Sequence, residues 1–136
     1  MKQIRIGAFT FLALTLAFGC QKSTTSQMPP LYPVHGIVTK EGKPIPEAFV
    51  QFVPESGAQD LTINGRTNPE GKYELTTLSV RNNEKKPGAP EGTYTVNIMM
   101  PLDAQQRGGE QYQLPDKYQV KPGANEFPLE IYPKNK

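Results

Sequence analysis

Apolar and polar residues alternate with a period of two in several short stretches separated by Gly, Pro and Asn, the pattern of strands that bury one face. Residues 93–100 show it best, with Tyr94, Val96, Ile98 and Met100 on one side and Thr93, Thr95 and Asn97 on the other. Residues 32–39 place Val34, Gly36 and Val38 on one face and His35 and Ile37 on the opposite one. Residues 49–53 are nearly apolar throughout, which predicts a strand covered on both sides. A strand over 61–67 contains Asn64-Gly65, a dipeptide that predicts a bulge or tight turn within it. Residues 72–77 alternate again, with Tyr73 and Leu75 inward, and Phe127, Leu129 and Ile131 supply a closing strand. Residues 101–113 have no apolar periodicity and read as the longest loop, and Lys85-Lys86 reads as a solvated loop tip.

The chain carries 12 Gly and 14 Pro in 136 residues. Beyond residue 20 the longest stretch free of both is 72–86, which leaves no room for a series of ordinary helices. Bundles and doubly wound α/β folds are therefore disfavoured. The expectation is all-β: a single antiparallel β-sandwich of about seven strands, since each sheet must bury its one apolar face against another.

The N-terminus has a different character. Lys2 and Arg5 precede an apolar run over residues 6–18, which ends in Gly19 and Cys20. This is the pattern of a secretory signal, and the run is short of the roughly 20 residues that a membrane-spanning helix needs. Leu16-Ala17-Phe18-Gly19-Cys20 resembles the lipobox of bacterial lipoproteins. The resemblance implies cleavage between Gly19 and Cys20 and lipidation of the Cys20 thiol, with diacylglyceryl and palmitate-type chains. Cys20 is the only cysteine, so it has no intrachain disulfide partner in an exported protein. Acyl chains at about 0.8 kcal/mol per buried CH₂ would anchor the body stably when two or more are present.

These readings divide the chain into a signal peptide over 1–19, a lipidated Cys20 with a polar Ser/Thr/Pro tether over 20–30, a folded body over 31–132 and a tail over 133–136. The expected location is the cell envelope: a membrane-anchored lipoprotein outside the cytoplasm, on the outer membrane or cell surface. Removing Lys2 and Arg5 cancels the excess of 15 basic over 13 acidic residues, so the exported part is formally neutral. A nucleic-acid partner then has no electrostatic basis.

Three turn segments succeed one another along the body. They are Gly36-Ile37-Val38-Thr39-Lys40-Glu41-Gly42-Lys43-Pro44-Ile45-Pro46-Glu47-Ala48-Phe49-Val50, then Thr67-Asn68-Pro69-Glu70-Gly71-Lys72-Tyr73-Glu74-Leu75, then Pro90-Glu91-Gly92-Thr93-Tyr94-Thr95-Val96. In the first, Gly42 suits a positive φ, Ile45 tucks under the sandwich edge and small Ala48 allows close packing. In the second, Asn68 caps a turn through its side chain and Gly71 takes the left-handed position. Together they resemble the carboxypeptidase regulatory-like domain, a transthyretin-like, Ig-like β-sandwich. Leu114-Pro115-Asp116-Lys117-Tyr118 is similar to a late segment of such lipoproteins. That likeness implies a longer stretch after it than 119–125 provides, so one edge strand is expected to be short or missing. The resemblance implies an accessory, adhesive or spacer role.

No constellation for catalysis stands out. His35 is the only histidine, and no Gly-x-Ser-x-Gly elbow offers it a nucleophile. With one Cys and one His the chain lacks ligands for structural zinc. The Asp60, Asn64, Asn68 and Glu70 turns do not have calcium-loop spacing. The expectation is thus a non-enzymatic protein with no cofactor and no metal, acting as an interaction or scaffold module. It would be held to the membrane by its lipid anchor and would meet an envelope protein, or a glycan, through a loop or strand edge. The alternative is a carbohydrate- or small-ligand-binding module using loop tyrosines. Tyr73 and Tyr94 are in phase with the core, which leaves Tyr112 and Tyr118 as the candidate ligand surface.

Overall fold

Two β-sheets face each other across an aromatic and aliphatic core in the computed structural model, which describes residues 28–102 and 109–132. The expected signal peptide, Cys20, most of the tether and the tail lie outside the described residues. The strands, β1 to β13 in chain order, make an all-β fold in which antiparallel pairing dominates.

The larger sheet runs, from edge to edge, through β11 (Gln111–Val120), β10 (Gly92–Met99), β4 (Phe49–Pro54), β5 (Leu61–Arg66), β7 (Thr76–Ser79) and β8 (Glu84–Pro87). The smaller sheet is built on β2 (Val34–Lys40). Along one side of β2 lie β12 (Asn125–Glu126) and β13 (Leu129–Ile131), and along the other lie β3 (Lys43–Pro44) and β6 (Lys72–Glu74). A two-stranded ribbon of β1 (Leu31–Tyr32) and β9 (Ala89–Pro90) completes the described strands. Four of the thirteen are only two residues long, which is why periodicity finds about seven.

Strand alternation sets the core. Val50 and Phe52, Ile63, and Tyr94, Val96 and Ile98 point inward from the larger sheet, and Val34, Val38, Tyr73, Leu129 and Ile131 meet them from the smaller one. Phe52 lies at the centre, with its ring 5.8 Å from Tyr94, 6.1 Å from Tyr118, 6.2 Å from Phe127 and 6.4 Å from Tyr73. Burying rings of this size contributes most of the cohesion of a small sandwich. Their polar tips are satisfied: the Tyr73 hydroxyl donates to the Phe127 carbonyl at 2.7 Å and that of Tyr94 to the Pro90 carbonyl at 2.7 Å.

The first two turn segments pack on each other. Gly42 (φ 77°) and Gly71 (φ 78°) are left-handed. The Asn68 side chain accepts from the amides of Glu70 and Lys72, both at 3.0 Å, as its spacing predicts. Half-buried Ile45 packs on the core, and its amide donates to the Val38 carbonyl at 2.9 Å. Buried Thr67 links the two segments, donating to the Ile45 carbonyl at 2.7 Å and accepting from the Ala48 amide at 2.8 Å.

Several expectations are corrected. The closing strand, β13, runs parallel to β2, as does β12, so the smaller sheet is mixed. β4 is covered on one face only: Val50 and Phe52 are buried, while Gln51 is half-buried and Val53 exposed. Asn64-Gly65 lies in an unbroken ladder, Gln51 opposite Asn64 and Val50 opposite Gly65. Glycine stands there because a Cβ would come 2.3 Å from the Glu74 carbonyl oxygen. The stretch 72–77 is two strands, β6 on β2 and β7 on β5, so the chain changes sheets at buried Leu75. Lys85 and Lys86 belong to edge strand β8. The edge strand at the end of the brief stretch 119–125 is short as expected, β12 having two residues, while β11, the longest strand, takes up Gln111 to Gln113 of the expected loop. Leu114, Pro115 and Asp116 all fall opposite Val96, a bulge that breaks the alternation and hides the strand from a periodicity reading.

Candidate functional site

Gly19 and Cys20, the expected cleavage and lipidation positions, lie outside the described residues. The two candidate tyrosines are both on β11 and both pack against the core, with different polar and aromatic partners. Tyr112 is half-buried. Lys40 Nζ donates to its hydroxyl at 3.0 Å and stands 5.1 Å from its ring centroid, while the hydroxyl itself donates to the Glu110 carboxylate. The bond from Tyr112 and the nearby Lys40 charge hold the Glu110 carboxyl below its ordinary value, and the same tyrosine raises Lys40 above its own. Tyr118 is also half-buried, with its ring 5.4 Å from Phe127 and 6.1 Å from Phe52. Burial first, then the Asp116 charge, push its phenol upward. Thus Tyr112 is tied into a polar cluster at the sandwich margin, and Tyr118 extends the aromatic core.

His35 is exposed on the outer face of the smaller sheet, where the register sets Glu126 on one side of it and Glu74 on the other. An open hollow of about 670 Å³ lies there, bordered by Ile37, Lys72 and Tyr73. Among the described residues no three His, Cys, Asp or Glu side chains are grouped closely enough to hold a metal ion.

The sheet edges are poor places for strand addition. β11 carries Pro115 within its bulge and β8 reads Glu84-Lys85-Lys86-Pro87. On the smaller sheet Pro128 separates β12 from β13, and Pro44 ends β3. Proline removes a donor from the free ladder, and charges and bulges deter a second chain, so the edges at β11, β8, β12–β13 and β3 are blunted.

On the outer face of the larger sheet the register produces an unusual order. Gln113 on β11 stands opposite Asn97 on β10, Asn97 opposite Gln51 on β4, Gln51 opposite Asn64 on β5, and Asn64 opposite Thr76 on β7. Four carboxamides and a hydroxyl therefore form one row across five neighbouring strands. With strands about 4.8 Å apart the row spans roughly 19 Å. Gln113 is exposed and the other four are half-buried. Among the described residues, none of the side-chain hydrogen bonds engages them.

Flanking the row on the same face, Phe49 is paired with Met99 on one side and Val53 with Thr95 on the other. The nearest charges are neutralised in pairs: Arg66 lies 3.4 Å from Glu47, and Lys117 lies 2.5 Å from Glu55. The row itself is therefore uncharged and rich in groups that both donate and accept, while Lys85 on β8, opposite Leu78, places a charge at the far edge of the same face. No single residue in the sequence marks it. Each carboxamide reads as an ordinary outward position, and only the pairing register lines them up. The clue available beforehand is that Asn64 and Asn97 interrupt strands in which Thr or Val would be the favoured outward residue.

No protein-family model and no curated protein matches this chain.

Proposed function

We propose that the chain is an exported, lipid-anchored, non-enzymatic interaction module whose body belongs to the carboxypeptidase regulatory-like, transthyretin-like kind. The observation that carries this reading is the position of Cys20. It is the only cysteine, and it directly follows Gly19 at the end of the apolar run 6–18 and precedes a polar tether. Acyl chains on its thiol moor the body at the envelope membrane surface, outside the cytoplasm. The family assignment is supported by the two turn segments that dock through Thr67, with left-handed glycines at Gly42 and Gly71. The interaction role is supported by the blunted edges together with a broad face crossed by an uncharged polar row, which favour contact through a sheet surface with an envelope component.

Metabolic labelling with an alkyne-tagged fatty acid tests the anchor. The native chain should take up label, lose residues 1–19 and sediment with membranes, and Cys20→Ser should take up none and leave the membrane fraction. Native protein with an unmodified Cys20 thiol would overturn the proposal.

A further inference from the structure

We infer that the outer face of the larger sheet binds an uncharged polysaccharide, gripped by the carboxamide row Gln113, Asn97, Gln51 and Asn64. The row is assembled by register alone, strand by strand, across β11, β10, β4 and β5. Each carboxamide presents two donors and an acceptor, which matches sugar hydroxyls that also do both. A chain of sugars laid along the roughly 14 Å that the four carboxamides span would meet several such groups in succession. Beside the row, half-buried Phe49 and exposed Met99 and Val53 offer apolar surface to the C–H faces of the rings. A shallow hollow of about 440 Å³ bordered by Phe49, Arg66 and Met99 opens on one side of the row. Another of about 230 Å³ bordered by Gln51, Val53 and Thr62 opens on the other. The ligand should be uncharged because the row itself carries no charge and the flanking Arg66 and Lys117 are paired with Glu47 and Glu55; among the described residues the one exposed cation of this face outside an ion pair, Lys85, stands on edge strand β8, beyond the row.

The identities of the residues point the same way. Asn is disfavoured in strands, yet Asn97 and Asn64 occupy interior strands of the sheet, where they serve no described side-chain hydrogen bond. A local cost with no structural return is the mark of a surface kept for binding. This inference is independent of the lipid anchor. It names the contact surface of the proposed interaction module, and either can fail without the other.

The test uses the full chain, purified in detergent, on an array of neutral and anionic oligosaccharides and on cellulose, chitin and alginate beads. We expect retention on at least one neutral polymer, unchanged by high salt, since screening acts only on charge. The double variant Gln51→Thr, Asn97→Thr should weaken it about tenfold, the loss of a few neutral hydrogen bonds. Thr is the better strand residue, so the same variant should unfold at an equal or higher urea concentration. His35→Ala, on the other sheet, should bind as the native chain does. The inference is overturned by any of four results: no retention on any neutral sugar, preference for alginate that salt abolishes, retention insensitive to the row variant, or loss with His35→Ala. A row variant that unfolds more easily would show that the carboxamides serve the fold and would equally overturn it. A photo-crosslinker at position 51 that captures a protein instead of a glycan would transfer the face to a protein partner.

Discussion

Gly65→Ala separates two readings of one dipeptide, because they predict opposite signs. If Asn64-Gly65 were merely a flexible spot in a strand, a methyl group would restrict the unfolded chain and stabilise the protein by about 0.4–1 kcal/mol. In the fold, Gly65 has no left-handed backbone to protect; its Cβ would instead sit 2.3 Å from the Glu74 carbonyl oxygen and 3.1 Å from the carbonyl carbon. Glu74 is the last residue of β6, and Leu75 then carries the chain across to β7, so that carbonyl is held by two sheets and cannot retreat freely. Overpacking of this kind costs about 1–3 kcal/mol. Set against the entropic gain, the net loss is about 1–2 kcal/mol, which at about 4–8 °C per kcal/mol lowers the midpoint by roughly 10 °C. Urea and thermal unfolding of the full chain would measure it, with outward-facing Asn64→Ala as a control expected to stay within about 0.5 kcal/mol. A midpoint raised by Gly65→Ala would refute the close approach of β5 to the crossover.

Three further outcomes rest on the same packing. Thr67→Val removes a hydroxyl that donates to Ile45 and accepts from Ala48, leaving both backbone groups unpaired, and should cost roughly 2–4 kcal/mol in urea unfolding; Thr67→Ser should retain most of the stability. Burial raises the Tyr94 phenol to about 12 and Tyr73 higher still, from an ordinary 10.0. The stability they contribute should be complete below pH 10 and lost as pH rises from there through about 12, since the unfolded chain releases those protons first. Tyrosinate absorbance should then rise in two phases, the second coinciding with unfolding, and a single phase near pH 10 with the fold intact would contradict this. Pro115→Val restores a donor to the free edge of β11 and should produce concentration-dependent self-association by sedimentation velocity; a variant that stays monomeric would show that the bulge alone protects the edge.

Much of the fold is legible in the chain because one-sided burial imposes a period of two. Val96 and Ile98 against Thr95 and Asn97, and Val34 and Val38 against His35, declare their faces without help from neighbours. The illegible part depends on pairing. Nothing local in 72–77 says that Leu75 bridges two sheets, since both halves alternate in the same phase. β11 is masked by its bulge, where three residues stand against Val96 alone. The parallel pairing of β13 with β2 is equally invisible, because strand direction is set by which edge the returning chain can reach. The same holds for the outer face of the larger sheet. Gln51, Asn64, Asn97 and Gln113 span more than sixty positions and become one row only through three separate registers. Tyr112 and Tyr118 both adjoin a polar stretch in the chain, and only the pairing shows that Lys40 bonds the first and that Phe127 packs on the second.

Where the sandwich is tethered bears on what that row can reach. Leu31, the first strand residue, pairs with Pro90, just before Gly92 opens β10, so the preceding chain leaves from the end of the body at which β10 begins. Asn97 lies roughly 17 Å further along that strand, at about 3.4 Å per residue. If Cys20 is acylated as proposed, a tether of about ten residues adds a root-mean-square reach of roughly 17 Å. The row would then stand clear of the headgroups, running across strands that point away from the membrane. Such a geometry suits a polymer lying parallel to the bilayer better than a partner buried within it. The blunted edges reinforce this, because they leave the face as the broad contact that does not require adding a strand. Shortening the tether should therefore weaken capture of a surface polymer in cells while leaving binding by the purified chain unchanged.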